Sequence, residues 1–535
     1  MQRLSLQRAT ATFPLLTNRF PMWRYATLTL LLLHVLAIAQ TTPVMEWQRN
    51  LGGSLSDFAG SIAQTADGGY IVCGTTFSNN GDVSGNHGLE DIWVVKLDPE
   101  GNSQWQRCLG GSSTDFGKVA LQMPNGGYLV VGSTSSNNGD VSGNHGSRDT
   151  WLAKLDAAGV LVWQRCYGGS LGDVPWDITS TPDGGYVVVG GAASSDGDLT
   201  TNAGAGDYWI LKIDAGGEIQ WQRTYGGSFF EDAYSVALTS DGGYLINGYT
   251  ESNDGDVNGS FGIRDYWVLK LDGEGFLQWQ RPCGGSSDDS GFAITELNDG
   301  SSMAVGRSLS QDGDVSPGII LQDIWTIRLS ATGAAVEERS YGGSNLDFGR
   351  DVMETADGGM ILSGATRSTD GDIPNNQGQA DGWLFRTDLQ GEILWNLTLG
   401  GSQSDGWVAM QATTDGGYIL VGSSESNDGD LLGNNGSSDV WVVKLGADPL
   451  GVLDLQDKTS IRVYPNPSND HIQVDLPPAM RNARWWLHDT QGKVVASGRA
   501  AGTRQQIALQ HLAPGAYTLV VEAGGKRISE RIVKE

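Results

Sequence analysis

The sequence predicts an all-β protein: a seven-bladed β-propeller of 58-residue, four-stranded blades, followed by a small C-terminal Ig-like β-sandwich. Three sets of residues recur at a constant step and support this prediction. Glycine pairs begin at Gly52, Gly110, Gly168, Gly226, Gly284, Gly342 and Gly400. A tryptophan recurs at Trp93, Trp151, Trp209, Trp267, Trp325, Trp383 and Trp441. An aspartate recurs at Asp82, Asp140, Asp198, Asp256, Asp314, Asp372 and Asp430. Seven copies without insertion or deletion are too regular to arise by chance.

Each copy contains four β-rich runs separated by glycine- and asparagine-rich turns. In the first copy the predicted strands are 59–65, 69–76, 91–98 and 103–109. The turn Ala66-Asp67-Gly68-Gly69 supplies the positive-φ positions that a tight hairpin needs. Such a four-stranded unit cannot bury both faces alone, and stacking copies around an axis buries them. A linear β-solenoid is the alternative architecture.

The two ends of the repeat region favour a closed ring. The strand Val44–Leu51 precedes any complete copy, whereas the last copy ends after Leu445 without its fourth strand. The N-terminal strand can fill that gap, and an open solenoid would give it no role. We therefore expect the propeller to occupy residues 40–445.

The N-terminus has the features of an export signal. Residues 26–38 form an apolar run that is short for a membrane span, and Ala37-Ile38-Ala39 is a small-x-small cleavage pattern. A signal peptide over 1–39 with cleavage near Gln40 is predicted, and Met22 is an alternative start. A buried hydrophobic helix is the other interpretation. No transmembrane segment is expected after signal removal.

Composition narrows the classes of function. The net charge is −28 with a pI near 4.4, so nucleic-acid binding and anionic lipid binding are disfavoured. The four cysteines are too scattered for a disulfide framework or a zinc site, and buried thiols are expected. Only His87 and His145 fall within the repeats, which leaves histidine-dependent catalysis poorly supplied.

The antiparallel order places the long polar connections on one face. Loops 2–3 and 4–1 share this face, called here the long-loop face, and a polysaccharide or protein ligand is expected there. The recurring tryptophans are expected to pack between blades, and a ring of aromatic sugar platforms is the alternative. Structural ion pairs are expected for the recurring basic residues.

Aspartates of loop 2–3 suggest calcium loops. In the fourth copy Asp254, Asp256 and Asn258 alternate before Gly259, and Asp265 closes the loop at the twelfth position, as oxygen ligands of Ca²⁺ do. The loop, and the loop alone, resembles the calcium loops of integrin-type propellers and EF-hands. The other candidate ligands are Asn80, Asp82, Asp91, Asn138, Asp140, Asp149, Asp196, Asp198, Asp207, Asp428, Asp430 and Asp439. The alternative is that these side chains accept backbone N–H bonds and shape the loop. No other cofactor is expected.

A further acid recurs in loop 4–1 of every copy. These residues are Asp57, Asp115, Asp173, Glu231, Asp289, Asp347 and Asp405. Paired carboxylates could catalyse glycoside hydrolysis, but equal recurrence in seven copies indicates a scaffold role. An enzyme predicts one unrepeated acid, base or metal cluster near the axis, whereas a binder predicts a near-symmetric face. A non-enzymatic binding or adhesion module is expected. A carbohydrate-active hydrolase or lyase and a structural surface-layer component are the alternatives.

The period stops after Leu445 and a different module follows. Residues 446–459 are predicted to be a linker, and 460–535 have the strand pattern of a small β-sandwich. Tyr464-Pro465-Asn466-Pro467, the turn from Asp489 to Val494, the strand from Leu512 to Tyr517 and the terminal Val533-Lys534 are its motifs.

These motifs resemble the type A C-terminal sorting domain of the Bacteroidota type IX secretion system over its full length. The resemblance implies contact with the secretion machinery, export through the outer membrane and removal of the domain. It also implies that the mature protein is released or attached to the cell surface. The repeats, in turn, resemble propellers common in such secreted proteins.

Overall fold

The computed structural model describes residues 42–450 and most of 462–534, with gaps at 465–467, 469, 477–482, 490–492, 501, 503 and 524–525. The predicted signal peptide 1–39 and residues 451–459 of the predicted linker lie outside the described residues. Within the described part of the chain every regular element is a β-strand. None of the described elements is a helix with the length and hydropathy that a membrane crossing needs.

Each blade is a four-stranded antiparallel sheet whose strands follow chain order, numbered here from β1 at the N-terminus. Blade 1 contains β2 (Asp57–Gln64), β3 (Tyr70–Thr76), β4 (Asp91–Leu97) and β5 (Ser103–Leu109). Blade 2 contains β6 (Asp115–Gln122), β7 (Tyr128–Thr134), β8 (Asp149–Leu155) and β9 (Leu161–Tyr167). Blade 3 contains β10 (Asp173–Ser180), β11 (Tyr186–Ala192), β12 (Asp207–Ile213) and β13 (Ile219–Tyr225). These bounds differ from the predicted strands of the first copy by only one or two residues.

The remaining blades repeat the same order. Blade 4 contains β14 (Glu231–Leu238), β15 (Tyr244–Thr250), β16 (Asp265–Leu271) and β17 (Leu277–Cys283). Blade 5 contains β18 (Asp289–Glu296), β19 (Ser302–Ser308), β20 (Asp323–Leu329) and β21 (Ala335–Tyr341). Blade 6 contains β22 (Asp347–Glu354), β23 (Met360–Thr366), β24 (Asp381–Thr387) and β25 (Ile393–Leu399). Blade 7 contains β26 (Asp405–Ala412), β27 (Tyr418–Ser424), β28 (Asp439–Leu445) and the N-terminal β1 (Met45–Leu51).

The ring is closed by the N-terminal strand, as the sequence predicts. Strand β1 pairs antiparallel with β28, with Gln48 opposite Val443. The first strand of each blade contacts the first strands of both neighbouring blades, so these seven inner strands form a continuous ring that includes the contact between β26 and β2. The chain is therefore a seven-bladed propeller rather than a linear solenoid.

The core lies between neighbouring blades. Trp93 is 1% exposed and packs with Val72 of its own blade and Val442 of blade 7. Its indole N–H donates to Gln106 Oε1 at 2.9 Å. The other recurring tryptophans are also buried, so the expectation of interblade packing is confirmed and they cannot serve as sugar platforms.

Buried basic side chains of the third strands form ion pairs with the first turn of the same blade. Lys96 Nζ lies 2.9 Å from Asp67 Oδ2, and the pattern repeats in five further blades. Lys154 lacks this partner because Asn125 replaces the aspartate in blade 2. These residues fasten the first turn to the blade, as expected.

Residues 446–450 of the predicted linker are held on the propeller. The backbone N–H of Gly446 donates to Val44 O at 2.8 Å. Asp448 accepts hydrogen bonds from Arg386 at 2.5 Å and from the Tyr418 hydroxyl at 3.0 Å. The chain therefore seals blade 7 before it leaves the repeat region.

The C-terminal module is a separate small β-sandwich. One sheet contains β29 (Arg462–Tyr464), β30 (His471–Asp475) and β33 (Arg504–Ala508). The other contains β31 (Arg484–His488), β32 (Val494–Arg499), β34 (Gly515–Ala523) and β35 (Lys526–Lys534). Buried side chains from both sheets, among them Ile472, Leu487 and Leu519, form one apolar core.

Candidate functional site at the propeller axis

The predicted calcium residues of the fourth copy hold backbone amides. Asp254 Oδ1 accepts the Ser228 N–H at 2.7 Å, and Asp256 Oδ2 accepts the Gly226 N–H at 3.3 Å. Asp265 Oδ2 accepts the Phe261 N–H at 2.6 Å. Asn258 enters a contact through its backbone oxygen, which accepts from Gln280 Nε2 at 3.1 Å. These contacts have the pattern of the alternative, in which the acids shape the loop.

The same contacts recur in the other candidate loops. The first position accepts the N–H that follows the glycine pair (Asn80, Asn138, Asp196 and Asp428). The second accepts the N–H of the first glycine (Asp82, Asp140, Asp198 and Asp430). The closing position accepts an N–H four residues earlier (Asp91, Asp149, Asp207 and Asp439). The three side chains of a loop therefore bind three separate parts of the backbone.

The closing aspartates also have an unusual second oxygen. In all seven copies its Oδ1 atom is buried without a hydrogen-bond partner among the described residues. Burial, together with the charges of Asp57 and Asp82, raises the pKa of Asp439 to about 6. Within the described part of the chain, no group of three His, Cys, Asp or Glu side chains is placed to hold a metal ion. Calcium binding stays a prediction.

The recurring acids of loop 4–1 are buried scaffold residues. Asp57 Oδ2 accepts from the Gly53 N–H at 2.7 Å and from Ser78 Oγ at 2.9 Å. Its Oδ1 accepts from the Thr76 hydroxyl. Because both oxygens are satisfied inside the blade, these residues are poorly placed to act on a substrate.

The residues around the axis, in contrast, differ from copy to copy. The second residue of each inner strand is Phe58, Phe116, Val174, Asp232, Ser290, Phe348 or Gly406. The fourth is Gly60, Lys118, Trp176, Tyr234, Phe292, Arg350 or Val408. The scaffold positions are nearly constant, so the axial positions are where the seven copies have diverged.

An aromatic cluster lies on one side of the axis. The ring centroids of Trp176 and Tyr234 are 4.8 Å apart, and those of Tyr234 and Phe292 are 5.2 Å apart. The Trp176 indole N–H donates to Asp232 Oδ2 at 2.8 Å, and Lys118 Nζ lies 3.5 Å from the centroid of the Trp176 ring. Four consecutive blades thus build one unrepeated surface of rings and charges.

The cations of the propeller divide into two repeated sets and six residues that follow no repeat. One repeated set contains Arg49, Arg107, Arg165, Arg223, Arg281 and Arg339 on the outer strands. The other contains Lys96, Lys154, Lys212, Lys270, Arg328, Arg386 and Lys444 on the third strands. The six unrepeated residues, called here the axial cations, are Lys118, Arg148, Arg264, Arg307, Arg350 and Arg367.

All six axial cations lie on or beside the inner strands. Lys118 and Arg350 are in β6 and β22, and Arg307 is paired in register with Ser290 of β18. Arg148 and Arg264 form backbone bridges to the residues just before the next inner strand, and Arg367 immediately follows β23. In a chain of net charge −28, every cation outside the repeated framework of the propeller is therefore near the axis.

Four axial cations have no hydrogen-bonded or ion-paired side-chain partner among the described residues. Arg264 pairs with Glu251 at 2.6 Å, and Arg307 lies 3.5 Å from Asp288. The four without such a partner are Lys118, Arg148, Arg350 and Arg367. Instead, Arg350 stacks over Phe292 at 4.5 Å and Arg148 over Phe116 at 4.8 Å. Aromatic stacking leaves the N–H edge of a guanidinium available for an anion.

The surroundings shift the titration of two axial groups toward neutral pH. Burial lowers the pKa of Lys118 to about 8; nearby Asp232 opposes this shift, whereas Arg148 and Arg350 add to it. Burial raises the pKa of Asp232 to about 7, against its hydrogen bond from Trp176. Asp232 Oδ1 is buried and has no hydrogen-bond partner within the described residues.

A cavity of roughly 290 Å³ opens at the axis between blades 6, 7 and 1. We call it the axial mouth, and its main side chains are Phe58, Phe348, Arg350, Arg367, Trp407 and Glu425. The adjoining residues come from loops 2–3 and 4–1, so the mouth lies on the long-loop face, where a ligand was expected. Its volume is close to the lower end of ligand pockets, about 300 Å³.

A search for repetition selects constant positions and therefore missed these residues. These residues could have been found by variation instead of repetition, because they occupy positions of the inner strands that differ among otherwise constant copies. A near-symmetric face is the property expected of a binder, and the axial surface does not have it.

The chain carries a type IX secretion system C-terminal sorting domain. Residues 462–535 match the family described as the secretion system C-terminal sorting domain. These are the residues on which the sequence resemblance rests. A sorting domain of this kind indicates a secreted or cell-surface protein, and this agrees with the expected location.

Other comparisons cover the propeller at low identity. The regulatory protein FlaEY of Caulobacter vibrioides is 23% identical over 418 residues, covering 68% of this chain and 41% of that protein. The chain thus spans less than half the length of this curated relative. Among solved structures, PorZ of Porphyromonas gingivalis, a surface component of the type IX secretion system, is 12% identical with a TM-score of 0.28, over 91% of this chain and 75% of that chain. A puromycin hydrolase is 15% identical with a TM-score of 0.41, over 82% of this chain and 62% of that chain.

Proposed function

We propose that this protein is a secreted or surface-attached binding module of the type IX pathway that takes its ligand in the axial mouth. The observation that supports this proposal is the divergence of the axial positions among seven otherwise regular blades. A scaffold role would favour the same residue in each blade, whereas recognition of one ligand needs different groups at different places around it. The exposed ring of Phe58 and the unpartnered guanidinium groups are suited to contact a ligand.

A carbohydrate-active enzyme is the second candidate, because an unrepeated acid–base cluster near the axis is the feature that an enzyme predicts. Asp232 and Lys118 titrate near neutral pH and lie in the same cluster. Binding is preferred because Lys118 is stacked on Trp176 and Asp232 is held by the same indole. Both groups thus position a ring rather than present themselves to a substrate bond.

The test is binding to a printed array of glycans and peptides by the purified protein. Phe58→Ala and Phe348→Ala are expected to lower binding of any positive probe at least tenfold, with the melting temperature retained. The matched control is Leu432→Ala, since Leu432 is 85% exposed in loop 2–3 of blade 7, away from the inner strands. If the Leu432 variant lost binding and both phenylalanine variants kept it, the axial mouth would not be the binding site. Mass spectrometry of the bound glycans detects cleavage, which would favour the enzyme.

A further inference from the structure

The axial mouth combines flat rings with cations that have no hydrogen-bonded or ion-paired side-chain partner among the described residues. Phe58 is 43% exposed and Phe348 is half-buried, and both line the cavity beside Arg350 and Arg367, whereas the ring of Trp407 is buried against Trp441. Exposed aromatic faces suit the apolar faces of sugar rings, and guanidinium groups bind carboxylate or sulfate in a bidentate manner. Both kinds of contact are available within one cavity.

The charge of the whole protein helps to identify the ligand that this combination of rings and cations would bind. The whole protein carries a net charge of −28, so an anionic ligand is repelled unless the local charge is reversed. At physiological ionic strength charges beyond about 8 Å are largely screened, so the groups inside the mouth act on a ligand more strongly than the distant acids do. Of the acids near the axis, Asp288 is shared by Arg264 and Arg307, Glu251 pairs with Arg264, and Asp232 lies beside Lys118. Glu425 lines the mouth with Arg350 and Arg367, as does Asp405, whose oxygens accept hydrogen bonds inside the blade.

Clustering of these cations is costly without a counter-charge. Arg350 and Arg148 each lower the pKa of Lys118, and Arg307 adds to burial in lowering that of Arg350. Like charges held together in a protein destabilise each other, and an anion placed between them relieves the repulsion. Six of the seven repeated cations of the third strands avoid this cost by pairing with aspartates.

We propose that the axial mouth binds an acidic polysaccharide, with sugar rings on Phe58 and Phe348 and acid groups on Arg350 and Arg367. This inference rests on the proposed function and specifies its ligand class. The carboxylates of uronic acids and the sulfate esters of sulfated glycans share the required chemistry. The rings favour a glycan over an acidic peptide, because an acidic peptide offers no flat apolar face to the two aromatic side chains.

The test measures binding of the full chain to five immobilised polymers by biolayer interferometry. Polygalacturonate and dextran sulfate supply the two acid groups, and methyl-esterified pectin and dextran are their neutral counterparts. Poly-L-glutamate supplies charge without sugar. At least one acidic glycan is expected to bind tenfold or more tightly than its neutral counterpart and than poly-L-glutamate. Its binding should weaken as salt is raised, since part of the attraction is electrostatic.

Variants assign this binding to the mouth. Arg350→Gln and Arg367→Gln are each expected to weaken binding of the acidic glycan at least tenfold. Arg107→Gln removes the same charge from the outer strand of blade 1 and should leave binding unchanged. Each variant is compared with the unaltered protein by its melting temperature, so that loss of fold is recognised.

The outcomes separate this inference from the proposed function. Equal binding of acidic and neutral glycans, with both sensitive to Phe58→Ala, would overturn the acidic specificity and leave the axial mouth as the binding site. Equal binding of poly-L-glutamate would show that charge alone is recognised and would overturn the glycan. Binding that survives both arginine substitutions, or no binding to either acidic glycan, would also overturn the inference.

Discussion

At the scale of single residues, the recurring glycine pair is explained by the acids that surround it. A Cβ atom on Gly52 would lie 2.4 Å from Asp439 Oδ1 and 2.7 Å from Asp57 Oδ2. The second glycine of the pair, Gly53, donates its N–H to Asp57. The turn between two blades therefore passes between two carboxylates, and a side chain at Gly52 would displace them. The pair is constant because the blade junction has no space for a larger residue.

A buried carboxyl near the axis gives a pH-dependent prediction. Asp351 accepts N–H bonds from Val352 at 2.8 Å and from Met410 of the next blade at 3.0 Å, and burial raises its pKa to about 7. Between about pH 4 and this value the unfolded chain has lost the proton that the folded protein keeps. The free energy of unfolding should therefore fall as pH rises from 4 to 7. Asp351→Asn should remove part of this fall, by up to about 1.4 kcal/mol for each pH unit.

Urea unfolding at pH 4, 5.5 and 7 measures the effect. Asp241→Asn is the control, and its effect on stability should be nearly the same at all three pH values. The Thr239 hydroxyl and Lys270 lower the pKa of Asp241 to about 2, so its stabilisation is present above about pH 4 and is lost in acid. An Asp351 variant whose stability parallels that of the unaltered protein at all three pH values would contradict the prediction.

At the scale of elements, loop 2–3 is shaped by its own acids. Outside blade 5 the recurring acids of this loop accept backbone N–H groups, and the closing aspartate of every copy retains one buried oxygen without a partner among the described residues. A buried acceptor without a donor is costly, and a bound cation, a proton or a water molecule would offset the cost. The calcium prediction therefore depends on this buried Oδ1 atom of the closing aspartate in each loop.

Calcium binding by these loops is tested by thermal unfolding. The protein is treated with EDTA and melted before and after addition of Ca²⁺. If the loops bind the ion, Ca²⁺ should raise the melting temperature by several degrees, because binding to the folded state alone is stabilising. Asp265→Asn should reduce the increase, whereas Asp272→Asn, in the neighbouring turn of blade 4, should not. An unchanged melting temperature would remove calcium from the description of this protein.

At the scale of the whole molecule, the terminal strand β1 occupies the position of an internal fourth strand. The Trp441 indole N–H donates to Gln48 Oε1 at 2.8 Å, and the same bond joins Trp93 to Gln106 at 2.9 Å within blade 1. The Trp441–Gln48 bond joins strands from opposite ends of the repeat region. The Trp93–Gln106 bond joins strands that follow each other in the chain. Ring closure thus depends on contacts that are chemically the same as those of an ordinary hairpin.

The matched pair Gln48→Leu and Gln106→Leu measures how firmly the ring is closed. Each variant leaves a buried indole N–H without its acceptor, at a cost of about 1–3 kcal/mol. Equal decreases in the free energy of unfolding are expected if β1 is as well held as β5. A silent Gln48 variant beside a destabilised Gln106 variant would show that β1 leaves blade 7 in solution.

The sequence by itself was sufficient for the architecture. A constant period and alternating strand patterns predict blades. The extra strand before the first copy and the missing fourth strand of the last copy predict that these blades close around an axis. The C-terminal motifs predict the sorting domain. The interblade tryptophans and the lysine–aspartate pairs were also predictable, because each depends on residues that recur in every copy.

Only the tertiary structure decided which residues meet at the axis. Lys118, Trp176 and Asp232 are separated by about one blade each along the chain, and no local pattern connects them. The inner strands bring them together because a closed ring converts equal chain intervals into neighbouring positions around one channel. The structure likewise showed that the loop acids bind separate backbone amides, since the direction of a short side chain depends on the folded backbone.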